Sequence, residues 1–499
     1  MNELVFFEMN KIEMNKVGMK AAGHRRPQIV GAFLAALVLL FLVATGQAPA
    51  MANQQGLGPS LDQTLPNGLR VVVFEDRRAP TALHMVWIKA GSMDEQIGKT
   101  GLAHVLEHMM FKGTKTLAPG EFSRRVAALG GRENAFTSRE FTGYFQQLHK
   151  DALFDVMALE ADRMQNLRFL DEEFVKEILV VMEERRLRTD DSPSGLAYEA
   201  LMSRAFVSSS VRHPIVGWMA DLKALKADDA RQWYDQWYAP NNATVVVAGD
   251  VDAKAVFEHV SKLYKDWAAK PLPTPPSALE PKQLGAREAQ VSAPAENAFF
   301  FKAWKAPTLG PTDGPLSTDN PKARDVVALS VLATLLDHPN FGRLQRSLIR
   351  ESRRAVSFGT QADAVSRGPG LFMVEATPAT GTGVREVLRD VEAEIAKISS
   401  QGVDQDELDL IRLQAKASQV YKQDSLFSKA MEAGRLLTAG RPISDATDWL
   451  KVLDDIRPDD VQRVAASYLR EDQSTLIELL PQPVAGAAPR GFSSTPLRH

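Results

Sequence analysis

The sequence predicts an α+β protein built from two halves of similar size. Three observations carry that expectation. The 499 residues are enough for two or more domains at roughly 100–200 residues each. Near the middle lies Lys270-Pro-Leu-Pro-Thr-Pro-Pro-Ser-Ala-Leu-Glu-Pro281, a stretch that cannot sit inside a helix or a central strand and reads as a linker. On both sides of it, short apolar strand patterns are mixed with longer helical ones.

The first half opens with strands. Leu69 to Phe74 (LRVVVF) follows the turn signal Asn67-Gly68, and Ala82 to Ala90 (ALHMVWIKA) is a second apolar run. Helical patterns follow at Gly101–Phe111, Pro119–Leu129, Ala152–Leu167 and Asp171–Arg188. Thr244 to Ala248 (TVVVA), closed by Gly249-Asp250, has the unbroken apolar character of a buried strand. In the second half Phe299-Phe300-Phe301, Leu371 to Ala376 (LFMVEA) and Thr475 to Leu480 (TLIELL) read as strands. Arg324–Leu336, Gly383–Ile398 and Asp404–Tyr421 read as helices. The likeness of the two series suggests a duplicated unit. The expected limits are 60–268 for the first domain, 269–286 for the linker and 287–481 for the second domain. The tail, 482–499, is rich in Pro, Gly, Ala and Ser and is expected to be disordered.

Residues 1–52 read as a targeting segment. Ile29 to Thr45 is a nearly unbroken apolar run, preceded by Lys20, Arg25 and Arg26. Small residues follow it, with Ala48-Pro49-Ala50 and Ala50-Met51-Ala52 as cleavage-site candidates. This is the layout of a secretory signal peptide, so the expected location is across the inner membrane, in the periplasm. A retained anchor formed by residues 29–45 is the alternative, at the short end of spanning length. Met19 gives a more typical start for such a segment than Met1. The formal net charge of −3 lacks the basic excess of a nucleic-acid binder. There are no cysteines, which removes disulfides, thiolate ligands and cysteine nucleophiles together. Any metal site must therefore use His, Asp and Glu.

Such a site is visible. Gly101-Leu-Ala-His104-Val-Leu-Glu107-His108-Met-Met-Phe111 contains H-x-x-E-H, the inverzincin signature. Residues three and four apart share a helix face, so His104, Glu107 and His108 point into one space. Two neutral imidazoles are suitable zinc ligands, and the carboxylate between them is placed to take a proton from an attacking water. A catalytic zinc needs a third protein ligand. Candidates lie in Asp171-Glu-Glu-Phe-Val-Lys-Glu177-Ile-Leu-Val-Val-Met-Glu183-Glu184-Arg-Arg. Glu177 and Glu184 are two helical turns apart and share a face, and Glu183 points elsewhere. The residues alone leave open which of the two binds the metal. The apolar run Ile178 to Met182 implies that this helix is mostly buried, and buried carboxylates need partners.

The chain resembles the pitrilysin/insulysin family of zinc peptidases, in the half-length branch that includes mitochondrial processing peptidase. The resemblance rests on Leu65-Pro-Asn67-Gly68-Leu-Arg-Val-Val-Val, Gly91-Ser92-Met-Asp94-Glu95, Thr100-Gly101-Leu-Ala-His104 and Phe111-Lys-Gly113-Thr114. It extends through Asn134-Ala135-Phe136-Thr137, Val180-Val181-Met-Glu183-Glu184 and Tyr238-Ala-Pro240-Asn241-Asn242. It implies two homologous α+β domains, each a mostly antiparallel sheet with helices packed on it, assembling as a clam-shell dimer. It implies one Zn2+ per chain, with Glu184 as third ligand, 184 − 108 = 76 residues past the second His, and Glu177 as an auxiliary active-site glutamate. Asn134, Ala135 and Phe136 match a segment that lies beside the bound peptide substrate as an edge strand. The implied activity is hydrolysis of peptides or unfolded segments, with Glu107 as general base. The alternative is a non-catalytic scaffold or peptide-binding subunit. After the linker only His338 and His499 remain, so the second domain carries no such motif.

One departure from the family stands out. In the family an Arg and a Tyr seven residues apart, in the lobe facing the zinc, help hold the scissile carbonyl. Here Arg350 is retained, but Ser357 stands where the Tyr belongs, and the adjacent Phe358 has no hydroxyl. A symmetric homodimer would lack that donor. The expected partner is a homologous subunit without the metal motif that supplies the Arg/Tyr pair, with a homodimer as the alternative.

Overall fold

The computed structural model of this chain describes residues 58–274 and 279–483. The signal-like segment 1–52, residues 275–278 of the linker and the tail from 484 lie outside the described residues. Among the described residues, no helix is long and apolar enough to cross a membrane.

The first half runs β1 (Leu61–Thr64), β2 (Arg70–Glu75), β3 (Thr81–Ile88), α1 (Leu102–Met109), α2 (Glu121–Ala128), β4 (Arg132–Thr137) and β5 (Thr142–His149). It continues with α3 (Leu153–Asn166), α4 (Asp171–Arg185), α5 (Pro193–Ala205), α6 (Met219–Ala224), α7 (Ala227–Trp237), β6 (Ala243–Gly249) and α8 (Ala253–Leu263). The second half runs β7 (Arg287–Pro294), β8 (Phe299–Ala306), α9 (Pro321–Asp337), β9 (Ala355–Ala362) and β10 (Gly370–Pro378). After these come α10 (Val384–Gln401), α11 (Gln405–Gln423), α12 (Leu426–Thr438), α13 (Asp445–Asp455), α14 (Pro458–Tyr468) and β11 (Ser474–Gln482).

Two sheets result, ordered β1-β2-β6-β3-β5-β4 and β7-β11-β8-β10-β9. Apart from β1 they have one topology. The outer pairs β2·β6 and β7·β11 are parallel, and the remaining neighbours are antiparallel. The duplication and the mostly antiparallel pairing expected from the sequence are therefore present in the backbone itself. By this correspondence β4 matches β9, and β4 and β9 are the free edges at equivalent ends of their sheets. Helix α1 matches α9. Where α1 carries His104 and His108, α9 carries Val326, Val327, Leu329 and Leu332, all buried in the second core. Among the described residues, the paired histidines of α1 have no counterpart on α9, because an apolar helix fills that place.

Each half also lends one helix to the other. On the outer face of the second sheet, Ala197, Leu201 and Met202 of α5 join Phe301, Leu371, Met373 and Ile477 in one apolar cluster. On the first sheet, α12 lies across β3 and β6. Gly434 of α12 sits directly on the Trp87 ring, where a Cβ would overlap the indole. Trp87 in turn packs edge-on to Phe136 at 5.3 Å and Phe141 at 5.0 Å, which fixes the end of β4. With this exchange of helices, the described residues from Gly58 onward form one compact unit.

The contact gives a test. In a solvent-facing helix, Gly→Ala gains up to about 1 kcal/mol. Here the added methyl must displace the indole, and such overpacking costs about 1–3 kcal/mol. Gly434→Ala is therefore expected to lower the midpoint of thermal unfolding followed by circular dichroism. A raised midpoint would show that α12 does not sit on Trp87.

Candidate metal centre

Helix α1 begins at Gly101, which adopts φ 90° and whose Cβ position is 2.6 Å from the Val216 carbonyl oxygen. Both features require glycine. The helix then buries Leu102, Ala103, Val105, Leu106 and Met109 in the first core, which turns His104, Glu107 and His108 towards α4 and β4. Helix α4 presents Glu177 and Glu184 to α1. One oxygen of Glu184, Oε2, lies 3.5 Å from His104 Nε2 and 3.4 Å from His108 Nε2. The ligand atoms of His104, His108 and Glu184 all lie within 4.8 Å of one another. Glu183, one residue away, is exposed and pairs with Arg186 at 2.6 Å.

An outer set of groups holds these side chains. Glu184 Oε1 pairs with Arg188 Nη2 at 2.5 Å. Glu177 Oε2 lies 3.3 Å from His108 Nδ1, the nitrogen turned away from Glu184, and Glu177 Oε1 pairs with Lys112 Nζ at 2.7 Å. Glu107 Oε2 accepts a 2.5 Å hydrogen bond from Thr137 Oγ1 at the end of β4.

The electrostatics divide the groups. Burial drives the His104 imidazole down to about 3, helped by the neighbouring His108, so it stays neutral. Burial also lowers His108, but the carboxylates of Glu177 and Glu184 outweigh it and raise this imidazole to about 9. Glu184 would be pushed up by burial, yet His108, His104 and Arg188 hold it at about 2. Glu107 shifts the other way. Burial raises its carboxyl above the ordinary value despite the Thr137 bond. A neutral imidazole, an imidazole that holds its proton between two carboxylates, and an ionised carboxylate converge on one point, where a divalent cation can take the place of that proton. Two imidazoles and one carboxylate form a donor set of the kind that catalytic zinc uses, with one position left for water or substrate.

The sequence did not flag Lys112, Thr137 or Arg188. Arg188 was legible as an i,i+4 partner of Glu184. The other two meet the site only through the fold. One inference from the sequence is corrected. Helix α4 is not mostly buried, since Leu179 and Val180 of its apolar run, and Val175 before it, are exposed. Only Phe174, Glu177, Val181 and Arg185 are buried, a single stripe at helical spacing, because consecutive residues cannot all face one neighbour. Asn134, Ala135 and Phe136 lie on the free edge of the first sheet, with Phe136 turned onto Trp87. Arg350 takes no part in the cluster. It is exposed and donates to the Asn340 carbonyl.

Residues 70–217 match the family described as Insulinase (Peptidase family M16), and residues 224–415 match the Peptidase M16 inactive domain. A zinc protease of Helicobacter pylori, PqqE, is 32% identical over 455 residues, 90% of this chain and 98% of that protein. The chain belongs to peptidase family M16. A probable mitochondrial-processing peptidase subunit beta of Arabidopsis thaliana is another M16 relative, 29% identical over 81% of this chain and 75% of its own. A solved protease structure from Helicobacter pylori matches with a TM-score of 0.78 at 31% identity, covering 85% of this chain and all of that one. A putative M16-like peptidase from Alicyclobacillus acidocaldarius, at 20% identity and a TM-score of 0.72, shares the fold. The second M16 match, to an inactive domain, agrees with the apolar α9 in place of a metal helix.

Glu177 is expected to act through His108 in this M16 site. Glu177→Gln removes the charge that draws on His108 Nδ1 and leaves Lys112 unpaired. Changes in such outer partners cost about 10–100-fold in metal affinity or activity. Zinc titration against a chromophoric chelator checks this, and an unchanged dissociation constant together with unchanged turnover would refute it.

Proposed function

We propose that this chain is an exported zinc endopeptidase that hydrolyses extended peptides or unfolded segments. The observation that carries the reading is the convergence of His104, His108 and Glu184 beside the partly buried Glu107. Zinc held by those three side chains would polarise the scissile carbonyl and acidify the attacking water. Glu107 takes the proton from that water and returns it to the leaving amine, with its raised carboxyl suited to holding a proton between the two steps. Thr137 keeps the carboxylate of Glu107 turned towards the metal ligands. Glu177 and Lys112 orient His108, and Arg188 keeps the far oxygen of Glu184 out of the ligand position. The free edge of β4, at Asn134 and Ala135, takes the substrate backbone as an added strand. Export rests on the apolar segment Ile29 to Thr45 and its basic flank, and the proposed site of action is the periplasm.

The decisive experiment is cleavage of a mixed peptide library with and without chelator, alongside zinc analysis of the same preparation. The expected result is one zinc per chain and cleavage that stops on chelation and returns with zinc. Metal-free protein that cleaves equally well would overturn the proposal.

The partner follows from the second half. Arg350 and Ser357 are both exposed, Ser357 on the free edge of β9, while Phe358 is buried. A homodimer would offer each metal site Arg350 and a serine where M16 relatives offer a tyrosine. Loss of one donor to a developing oxyanion costs about 10²–10³ in rate. The proposed partner is therefore a homologous subunit lacking the metal motif. Mass and activity of the chain purified alone test this, and a fully active homodimer would refute it.

A further inference from the structure

The pseudo-equivalence of the halves brings two matching turns together. Residues 138–141 join β4 to β5, and residues 363–369 join β9 to β10. Arg367 of the second turn forms a bidentate pair with Asp94, Nη1 to Oδ1 at 3.0 Å and Nη2 to Oδ2 at 2.8 Å. Its Nη2 also donates to the Glu140 carbonyl at 2.6 Å, and its backbone N–H donates to Glu140 Oε1 at 2.9 Å. Ser366 Oγ donates to the same carboxylate. The guanidinium is 8% exposed and the Asp94 carboxylate 0%, so both charges are withdrawn from water and depend on each other.

Each of the two segments that Arg367 grips goes on to touch the metal helix. Next to Asp94 is Glu95, fully buried. Its carboxylate accepts from the backbone N–H of Gly101 and of Ala103, both at 2.8 Å. These are the first free donors of α1, and Ala103 is the residue before His104. The other segment carries Glu140 three residues after Thr137, whose hydroxyl holds Glu107. The segments are themselves joined, since the Ser92 N–H donates to the Ser138 carbonyl at 3.1 Å and the Met93 N–H to the Arg139 carbonyl at 2.9 Å.

We propose that Arg367, in the half that lacks the metal helix, is a positioning residue for the active site. It fixes the start of α1 through Asp94 and Glu95, and the orientation of Glu107 through Glu140 and Thr137. The second half thereby sets the geometry of ligands and base in its own chain, a role separate from facing a partner's site. The inference rests on the peptidase reading given above.

The test uses the full chain with Co2+ in place of zinc, together with steady-state kinetics on a peptide that the unaltered protein cleaves. Arg367→Met, Arg367→Lys and Glu140→Ala are compared with Arg324→Met. Arg324 pairs with Asp455 and Asp460 inside the second half and touches neither segment. In Arg367→Met, kcat is expected to fall about 10–100-fold with KM little changed, the range seen when groups behind metal ligands are altered. Its cobalt d–d bands should shift. Lys keeps the charge without the two-pronged geometry, so Arg367→Lys should fall between. Arg324→Met should lower the unfolding midpoint while leaving both kcat and the cobalt bands unchanged. The proposal is overturned if Arg367→Met keeps wild-type kcat and bands, or if Arg324→Met shows the same losses. Should Arg367→Met fail to fold, Arg367→Lys and Glu140→Ala decide in the same way. If the unaltered chain cleaves no peptide, the peptidase reading falls, and the cobalt bands still decide whether Arg367 positions the ligands.

Discussion

Replacing Glu107 by Gln is expected to abolish most turnover while leaving zinc in place. The amide preserves the shape of the side chain, and its carbonyl can still accept the bond from Thr137. It cannot take a proton. A positioned general base contributes about 10²–10⁴-fold, so kcat should fall by that range. Glu107 supplies none of the three converging ligand atoms, so metal content should stay at the wild-type level. Stability gives a second sign to check. Burial holds this carboxyl above its ordinary value, so its ionised form costs the fold stability at neutral pH. That cost is absent below the unfolded value, where the group is protonated in both states, and appears as pH rises through the folded value. Gln never carries the charge. The variant should therefore unfold at the same temperature as wild type or higher at neutral pH, with any advantage shrinking in acid. Wild-type turnover, or loss of zinc from a well-folded variant, would sink the assignment of Glu107 as base.

The second large effect is a contrast between neighbours. Glu184→Gln removes the negative charge shared by His104 Nε2 and His108 Nε2 on one side and Arg188 on the other, and turns one of the two oxygens into an NH2 group. Zinc affinity should fall by more than the roughly 10–100-fold that outer-shell changes cost. Glu183→Gln removes only an exposed pair with Arg186, and such pairs are worth about 0–1 kcal/mol. Its zinc affinity and turnover should match wild type. Chelator competition on the two purified variants separates them. Metal loss in Glu183→Gln with normal binding in Glu184→Gln would place the ligand one residue earlier on α4.

Much of this was legible in the residues themselves. LRVVVF, ALHMVWIKA and TVVVA are strands because runs of branched apolar side chains fit a sheet interior, and the structure pairs all three as neighbours in the first sheet. H-x-x-E-H could be read because helical spacing puts its three side chains on one face whatever surrounds the helix. Burial of α4 could not be read, because composition says how much apolar surface a helix has and not which side meets a neighbour. Strand β9 also escaped notice, and β4 was expected as an edge strand only through the family resemblance at Asn134 to Phe136. RENAFT and AVSFGTQA are mixed edge sequences whose pairing comes from one side only, and their strand character is supplied by β5 and β10.

The sequence by itself determined the class of fold, the repeat of two halves and the candidate ligands His104 and His108 with Glu107 beside them, because each is written in local periodicity or spacing, whereas the choice of Glu184 over Glu177 came only from the family resemblance. Tertiary structure alone decided which oxygen of Glu184 faces the imidazoles, that Glu177 stands behind His108, and that Thr137 holds Glu107. It also decided that α5 and α12 cross between halves and that Arg367 grips Asp94 from 273 positions away. The physical reason is the range of the interactions. Spacing along a helix fixes what lies within one or two turns, whereas the partner of a buried charge is set by which loops the packed sheets bring together.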